Sequence, residues 1–202
     1  MNKFEQIEEL RELAIQCPPC PNRKTRLQVV FGEGNPDAEI MIVGQGPGKV
    51  EEEEGRPFVG PAGMLLDRAL EKVGLKREEL WITNIIKCRA TKVENGKVKD
   101  RPPSAAEKRA CRPWLEGELD IVDPNIIICV GAPAAQDVID KKFKITQERG
   151  QWREGPRGTR AIATLHPVYI LRLRSVDEEA YQRAWESLVE DLRKVAEAVR
   201  EA

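Results

Sequence analysis

Four cysteines in this 202-residue sequence have a spacing that is typical of metal ligands. Cys17 and Cys20 form a C-x2-C pair, and Cys88 and Cys111 follow singly, far along the chain. Thiolates bind zinc and also iron-sulfur clusters, and this spacing suits neither a compact zinc ribbon nor a ferredoxin motif. A redox-active C-x2-C pair is a third alternative, although no strand precedes the pair as it does in thioredoxin. The spacing therefore predicts a metal site without identifying the metal.

The fifth cysteine has a different setting. Cys129 lies between Ile128 and Val130 in an apolar, β-branched run, where a free cysteine acts as a small hydrophobic residue. An odd number of cysteines in a chain without a recognisable export signal argues against a disulfide framework.

Three further segments could bind a ligand. The first is Gly-Gln-Gly-Pro-Gly at 44–48, which lacks the Lys-Ser/Thr of a P-loop and the spacing of a dinucleotide motif. Its glycines would let a flat ligand approach the backbone, although an ordinary tight turn is an equal alternative. The second is Phe58 in a loop, a position that more often plugs a core than stacks on a ligand. The third is His166, the only histidine, whose place beside a proline would by itself indicate a structural role.

The elements that position these residues alternate between helix and strand. Helical patterns with capping and proline signals cover 3–16, 61–73, 104–121, 132–140 and 177 onward. Strand patterns cover 39–43, 80–83, 125–130, 144–154 and 160–164, and 89–103 reads as a long basic loop. This order predicts an α/β fold, in which a parallel sheet lies between layers of helices. The segments 44–46, Asn84 and 166–167 each follow a strand, so we expect them to meet in one crevice.

Composition limits the classes of protein that this chain can belong to. With 41% hydrophobic residues it can bury a core, so we expect one ordered domain spanning residues 1–202. No apolar run approaches the length of a membrane helix, and the first residues are not a signal core, which predicts a soluble, cytoplasmic protein with no membrane partner.

Charge is unevenly distributed along the chain. There are 33 Lys and Arg against 34 Asp and Glu, so the formal net charge is only −1. However, residues 87–112 contain nine basic and three acidic residues, and residues 141–174 contain nine and two. Such separation can give one face that binds phosphates, although a solvated charged face is the commoner outcome.

Taken in order, the motifs resemble the family-four uracil-DNA glycosylases, the iron-sulfur branch of the uracil-DNA glycosylase superfamily. The motifs are C-x2-C, a strand with G-x-G-P-G, G-R-P-F-V-G after an acidic run, T-N-x-x-K-C, A-C-R-P-W-L and H-P-x-Y-x-L-R. They extend from Cys17 to Arg172. The resemblance implies a three-layer α/β/α sandwich around a four-stranded parallel sheet. It also implies a monomer that flips uracil out of single- or double-stranded DNA and excises it by hydrolysis, leaving an abasic site.

The resemblance further assigns a 4Fe-4S cluster to Cys17, Cys20, Cys88 and Cys111, and leaves Cys129 in the core. It places the excised uracil against Gly44, Gln45, Gly46, Phe58, Asn84 and His166. Of these, His166, Asn84 and Gln45 would be the catalytic residues, while Phe58 would stack on the base.

Each implied role agrees with the chemistry of its residue type. The Asn84 amide can accept from N3–H of uracil and donate to O4, and cytosine presents the reverse pattern. A neutral His166 can donate to O2 and stabilise the departing uracil anion. Arg172 and the main chain at Pro167 would hold phosphates, with 169–171, which includes Tyr169 and Leu171, as a wedge behind the flipped base.

The sequence departs from the family at two positions. Gln45 stands where the family usually has Glu, and Val168 follows the His-Pro pair where Ser or Ala is usual. Gly46 does not supply the carboxylate that family-one relatives have at that position. A glutamine can orient a water molecule but cannot accept its proton. A weakly active or non-catalytic protein that binds uracil-containing or damaged DNA is therefore the alternative function. A structural zinc protein is a more distant one.

Overall fold

Eight strands and eight α-helices form the computed structural model, which describes residues 1–17 and 26–201. The strands are β1 (Glu33–Gly34), β2 (Ile40–Gly44), β3 (Trp81–Asn84), β4 (Thr91–Glu94), β5 (Lys97–Asp100), β6 (Ile126–Val130), β7 (Arg153–Glu154) and β8 (Arg160–Thr164). The helices are α1 (Lys3–Ile15), α2 (Lys49–Glu54), α3 (Pro61–Val73), α4 (Ala105–Val122), α5 (Ala132–Val138), α6 (Ile145–Glu148), α7 (Pro167–Leu173) and α8 (Glu178–Arg200).

The main sheet has the strand order β1-β3-β2-β6-β8-β7. Its four central strands are parallel, as the sequence predicts. The expected strand number of four is wrong, because β1 and β7 add an antiparallel strand at each edge and make six. Each edge strand has only two residues, too few for a hydrophobic period to reveal.

Both faces of the parallel strands are buried, which explains their unbroken apolar sequences. All five residues of β2 and of β6 are buried. Alternate side chains point to opposite faces, so Met41, Val43 and Ile127 pack with α1, α4 and α5, whereas Ile42 and Ile128 pack with α3, α7 and α8. The result is the expected three-layer α/β/α arrangement.

Helix ends follow their sequence signals. Asn2 with Glu5, and Ser104 with Glu107, form capping boxes at the starts of α1 and α4. Pro61 opens α3, and Gly74 ends it in the left-handed conformation. No helix within the described ranges is long and apolar enough to cross a bilayer.

Two local predictions are wrong, and one helix is not predicted. The segment 144–154 is mainly the helix α6 and a turn, with only β7 as strand, because Gly150 has φ +68° and ends the extended pattern. The stretch 89–103 is a β-hairpin rather than a loop, turning at Asn95 and Gly96, which both have positive φ. Residues 49–54, which lie outside the helices and strands predicted from the sequence, form α2.

Candidate active site

A cavity of about 620 Å³ opens at the carboxyl ends of the parallel strands. The predicted crevice lies here, because Gln45 follows β2, Asn84 ends β3 and His166 follows β8, and all three line the cavity. Phe58 comes from the loop before α3 and completes the wall. Open parallel sheets bind ligands at this edge.

Gly44 makes the floor of the cavity close-packed. A Cβ atom at this position would lie 2.4 Å from Cζ of Phe58 and 2.5 Å from Oδ1 of Asn84. Only glycine therefore allows the ring and the amide to lie against the end of β2. The glycine-rich segment is therefore more than an ordinary turn, because the absence of a side chain at Gly44 leaves space for Phe58 and Asn84.

Asn84 lines the cavity and carries an unsatisfied acceptor. The residue is 3% exposed, and its Oδ1 atom has no hydrogen-bond partner among the residues that the structure describes. A buried polar atom without a partner costs about 1–3 kcal/mol, so such an atom on a residue that lines a cavity points to a ligand that donates a hydrogen bond.

A buried ion pair holds the backbone of Asn84. Lys87 Nζ lies 2.8 Å from the main-chain oxygen of Asn84, 2.5 Å from Oγ1 of Thr83 and 2.6 Å from Oε2 of Glu118. The Lys87 and Glu118 side chains are at most 1% exposed. Glu118 on α4 also accepts from the Thr83 hydroxyl and from the main-chain nitrogen of Gly32. This network could not be identified from the sequence, because a lysine between apolar residues gives no signal of its acidic partner 31 residues away.

Phe58 is held in an unusual backbone conformation. Its φ is +50°, a left-handed value that costs free energy for a residue with a side chain. Arg77 donates to the carbonyl oxygens of Pro57 and Phe58 at 2.6 and 2.9 Å, and also pairs with Asp67. These bonds keep the ring, which is 5% exposed, against the cavity.

His166 is a neutral donor in this structure. Its Nδ1 accepts a hydrogen bond from the main-chain N–H of Val168 at 3.1 Å, where His166 caps α7. The ring proton must therefore lie on Nε2. Burial lowers the pKa of His166 to about 4, with a smaller effect from the charge of Arg172. The ring is stacked near Phe58, with 6.2 Å between the centroids.

The first turns of α7 form one rim of the cavity. Tyr169 is half exposed, and Leu171 and Arg172 also line the cavity, while Pro167 is buried at the start of the helix. Within the expected wedge 169–171, Ile170 is fully buried against the core and cannot reach a ligand. Only Tyr169 and Leu171 of that segment face the opening.

Glu51 is a cavity residue that the sequence analysis missed. It lies on α2, lines the cavity, and accepts a hydrogen bond from the main-chain N–H of Gly60 at 3.3 Å. The cavity therefore contains a carboxylate, although position 45 is a glutamine. The acidic run 51–54 starts one helical turn after the glycine-rich segment, and that spacing was the available signal.

Three of the four predicted ligand cysteines are connected through contacts with Arg26 and Lys87. Arg26 Nη1 lies 2.9 Å from Sγ of Cys17 and 3.4 Å from Sγ of Cys88, and Cys111 Sγ accepts from the main-chain nitrogen of Lys87 at 3.4 Å. Cys20, the fourth, is outside the described residues. In the ranges 1–17 and 26–201, no three His, Cys, Asp or Glu side chains are grouped closely enough to bind a metal ion.

Cys129 is separate from these thiols. It lies in the middle of β6 and is fully buried, and burial raises the pKa of its thiol well above the usual range. A thiol that stays protonated is neither a nucleophile nor a metal ligand. Its environment agrees with the expected place in the core.

Comparisons with known proteins agree with these features. The family model described as "Uracil DNA glycosylase superfamily" matches residues 31–189. The chain is 41% identical to a Type-4 uracil-DNA glycosylase of Thermotoga maritima over 172 residues, which cover 85% of this chain and 86% of that protein. It is 35% identical to a Type-4 uracil-DNA glycosylase of Sulfurisphaera tokodaii, over 89% of this chain and 84% of that protein. It is also 35% identical to a Type-4 uracil-DNA glycosylase of Archaeoglobus fulgidus, over 87% of this chain and 88% of that protein.

The buried ion pair generates a stability prediction. Lys87→Met leaves the Glu118 carboxylate buried without a counter-charge, so we expect the free energy of unfolding to fall by about 3–5 kcal/mol. The matched double variant, Lys87→Met with Glu118→Leu, removes both charges and should recover most of the loss. Urea denaturation followed by circular dichroism measures both. A single variant as stable as the parent protein would show that the pair does not hold the end of β3.

Proposed function

The chain belongs to the uracil-DNA glycosylase superfamily, and on that premise we propose that it excises uracil from DNA by hydrolysis and leaves an abasic site. The observation that carries this proposal is the unpartnered Oδ1 of Asn84, on a residue that lines the same cavity as the Phe58 ring and the neutral His166. A base stacked in a duplex cannot enter a cavity at the edge of the sheet, so the nucleotide must first be extruded from the stack.

Asn84 selects the base by its hydrogen-bonding pattern. Its Oδ1 accepts from N3–H of uracil, and its amide N–H donates to O4. Cytosine has an acceptor at N3 and a donor at the exocyclic amine, so both bonds become repulsive contacts. Lys87 donates a hydrogen bond to the main-chain carbonyl oxygen of Asn84, which limits movement of the strand end that carries the side-chain amide. Phe58 covers the face of the base, and the absence of a side chain at Gly44 leaves room for the Phe58 ring.

The bond that breaks joins N1 of uracil to C1′ of the deoxyribose. The bonding electrons go to the base, and the negative charge spreads to O2 and O4. His166 donates from Nε2–H to O2 and stabilises this anion, because the ring is already neutral and its other nitrogen is engaged by Val168. Water adds to C1′ and releases a proton to solvent. The Gln45 side chain, at the edge of the cavity, orients that water.

The rim of the cavity supplies contacts to DNA outside the flipped base. Arg172 is exposed beside the opening and can pair with a phosphate, and the main chain at Pro167 begins a helix next to it. Tyr169 and Leu171 then lie where a base has left the stack.

We also propose a 4Fe-4S cluster bound by Cys17, Cys20, Cys88 and Cys111. Arg26 contacts the sulfurs of Cys17 and Cys88, and the sulfur of Cys111 contacts the main chain of Lys87, the residue before Cys88. Thiolates are the preferred ligands of such clusters. When bound, the cluster supplies covalent cross-links between the segments that carry these cysteines. Lys87 lies next to Cys88 in the chain, so those links also support the network that holds Asn84.

The first test is release of free uracil from single-stranded oligonucleotides that contain one uracil, beside thymine and cytosine controls. We expect an abasic product only with uracil, and His166→Ala should slow single-turnover release by roughly 10²- to 10³-fold with little change in DNA affinity. The parent rate should not reflect protonation of His166 until the pH falls to about 4, because the native ring is neutral above that value. Tight binding of uracil-containing DNA without any abasic product would support the alternative of a non-catalytic binder.

The role of Gln45 is tested by comparing Gln45→Glu and Gln45→Ala with the parent protein over a pH series. If Gln45 only orients water, the alanine variant should be slower. A glutamate adds a general base, commonly worth about 10²-fold or more where proton transfer limits the rate. A rate that rises with pH only in the glutamate variant would show that the parent lacks a base. A slower glutamate variant would indicate repulsion of the uracil anion, and three equal rates would remove Gln45 from the reaction.

The cluster is tested by the iron content and visible absorption of protein purified without oxygen. The parent should contain about four iron atoms per chain, and Cys111→Ala should lose both iron and colour. Cys129→Ala is the matched control, because that thiol is buried in β6 and should leave the iron unchanged. Colourless parent protein that contains zinc would contradict the proposal.

A further inference from the structure

The β4–β5 hairpin extends beyond the body of the protein. Its strands pair in the register Thr91 with Asp100 and Val93 with Val98, and the tip is the Asn95-Gly96 turn. Val93 is 75% exposed and Val98 is 59% exposed, so two apolar side chains lie side by side in solvent. Neither belongs to the hydrophobic core on either face of the main sheet.

The root of the hairpin is firmly attached, although its tip is not. Arg101 donates from Nε to the carbonyl of Thr91 at 2.9 Å and pairs with Glu107 at the start of α4. Arg89 lies 2.6 Å from Asp100 and 3.5 Å from Glu52 on α2. An isolated two-stranded hairpin is marginally stable in water, so these ion pairs are what keep this one in place.

The apolar pair lies on the side of the hairpin that continues the cavity wall. Ala90, Asp100 and Arg101, at the hairpin root, line the cavity. Side chains alternate between the two faces of a hairpin, so Val93 and Val98 share a face with Asp100. The lysines of both strands lie on the opposite face. The two valines therefore extend the wall of the cavity outward.

The other side of the same opening is the rim of α7, with Tyr169 and Arg172. A DNA strand that places a base in the cavity must pass between α7 and the hairpin. The exposed valine pair is too small for a stable protein partner, which needs several hundred Å² on each side. Its size suits the apolar faces of one sugar and base.

We propose that the β4–β5 hairpin is a second DNA-binding arm, in which Val93 and Val98 pack against a nucleotide that flanks the extruded uracil. This inference rests on the proposed function, since it assigns part of the same DNA site. The hairpin and α7 then contact the strand on opposite sides of the flipped nucleotide.

The test uses Val93→Thr with Val98→Thr, a double variant that keeps β-branched side chains and hence the hairpin. For a single-stranded oligonucleotide with a central uracil, we expect the Kd to rise about three- to tenfold, because apolar contact is lost. The salt dependence of Kd should not change. Leu13→Gln on α1, also an exposed apolar position, is the control and should bind like the parent.

Substrates with the uracil at the 5′ or the 3′ end locate the contact. One of these two substrates lacks the nucleotide that the hairpin contacts, and the double threonine variant should bind it with the same Kd as the parent. On the other substrate the Kd of the variant should remain higher than that of the parent. Equal Kd values for variant and parent on every substrate would overturn the hairpin proposal, even if uracil is still released. Failure of the parent to release uracil, with the predicted Kd pattern intact, would instead overturn only the proposed catalysis.

Discussion

The buried pair of Lys87 and Glu118 is the interaction on which the site most depends. Two charges removed from water are stable only when their remaining hydrogen-bonding groups are also satisfied, and here Thr83, the main chain of Asn84 and that of Gly32 complete the set. The pair therefore joins α4 to the end of β3 at a defined distance. Because Cys88 and Cys111 belong to the same two segments, the thiols and the base-facing amide share one support.

A second constraint is volume. The carboxyl ends of parallel strands meet at one edge of any such sheet, but a cavity forms there only if some residues at that edge have no side chain to fill it. Gly44 removes a Cβ atom that would collide with Phe58 and Asn84, and Gly63 allows α3 to start against the Phe58 carbonyl, where a Cβ atom would lie only 1.9 Å from the oxygen. Arg77 then offsets the cost of the left-handed backbone at Phe58. The cavity results from omitted atoms as much as from the residues that line it.

Much of this arrangement could be predicted from the sequence, since the central strands are buried on both faces and their apolar runs are unmistakable. The meeting of Gln45, Asn84 and His166 followed from topology alone. Contacts between distant residues could not be predicted, because neither Lys87 nor Glu51 differs locally from an ordinary surface charge. The hairpin was missed although Asn95-Gly96 is a strong turn signal, since each strand has a single apolar residue, Val93 or Val98, among lysines and acidic residues. The role of Cys20 remains a prediction from spacing and resemblance.

The double use of His166 has a consequence for acid tolerance. Its Nδ1 lone pair caps α7, so a proton can bind there only if the cap is broken, and burial also opposes the charge. The unfolded chain takes up that proton near the ordinary value of 6.5, whereas the native ring does so only near 4. Between these values the unfolded chain binds more protons, so the contribution of this residue to stability falls as the pH falls. Mild acid therefore shifts the folding equilibrium at this histidine well before it changes the ionisation of the ring in the native protein.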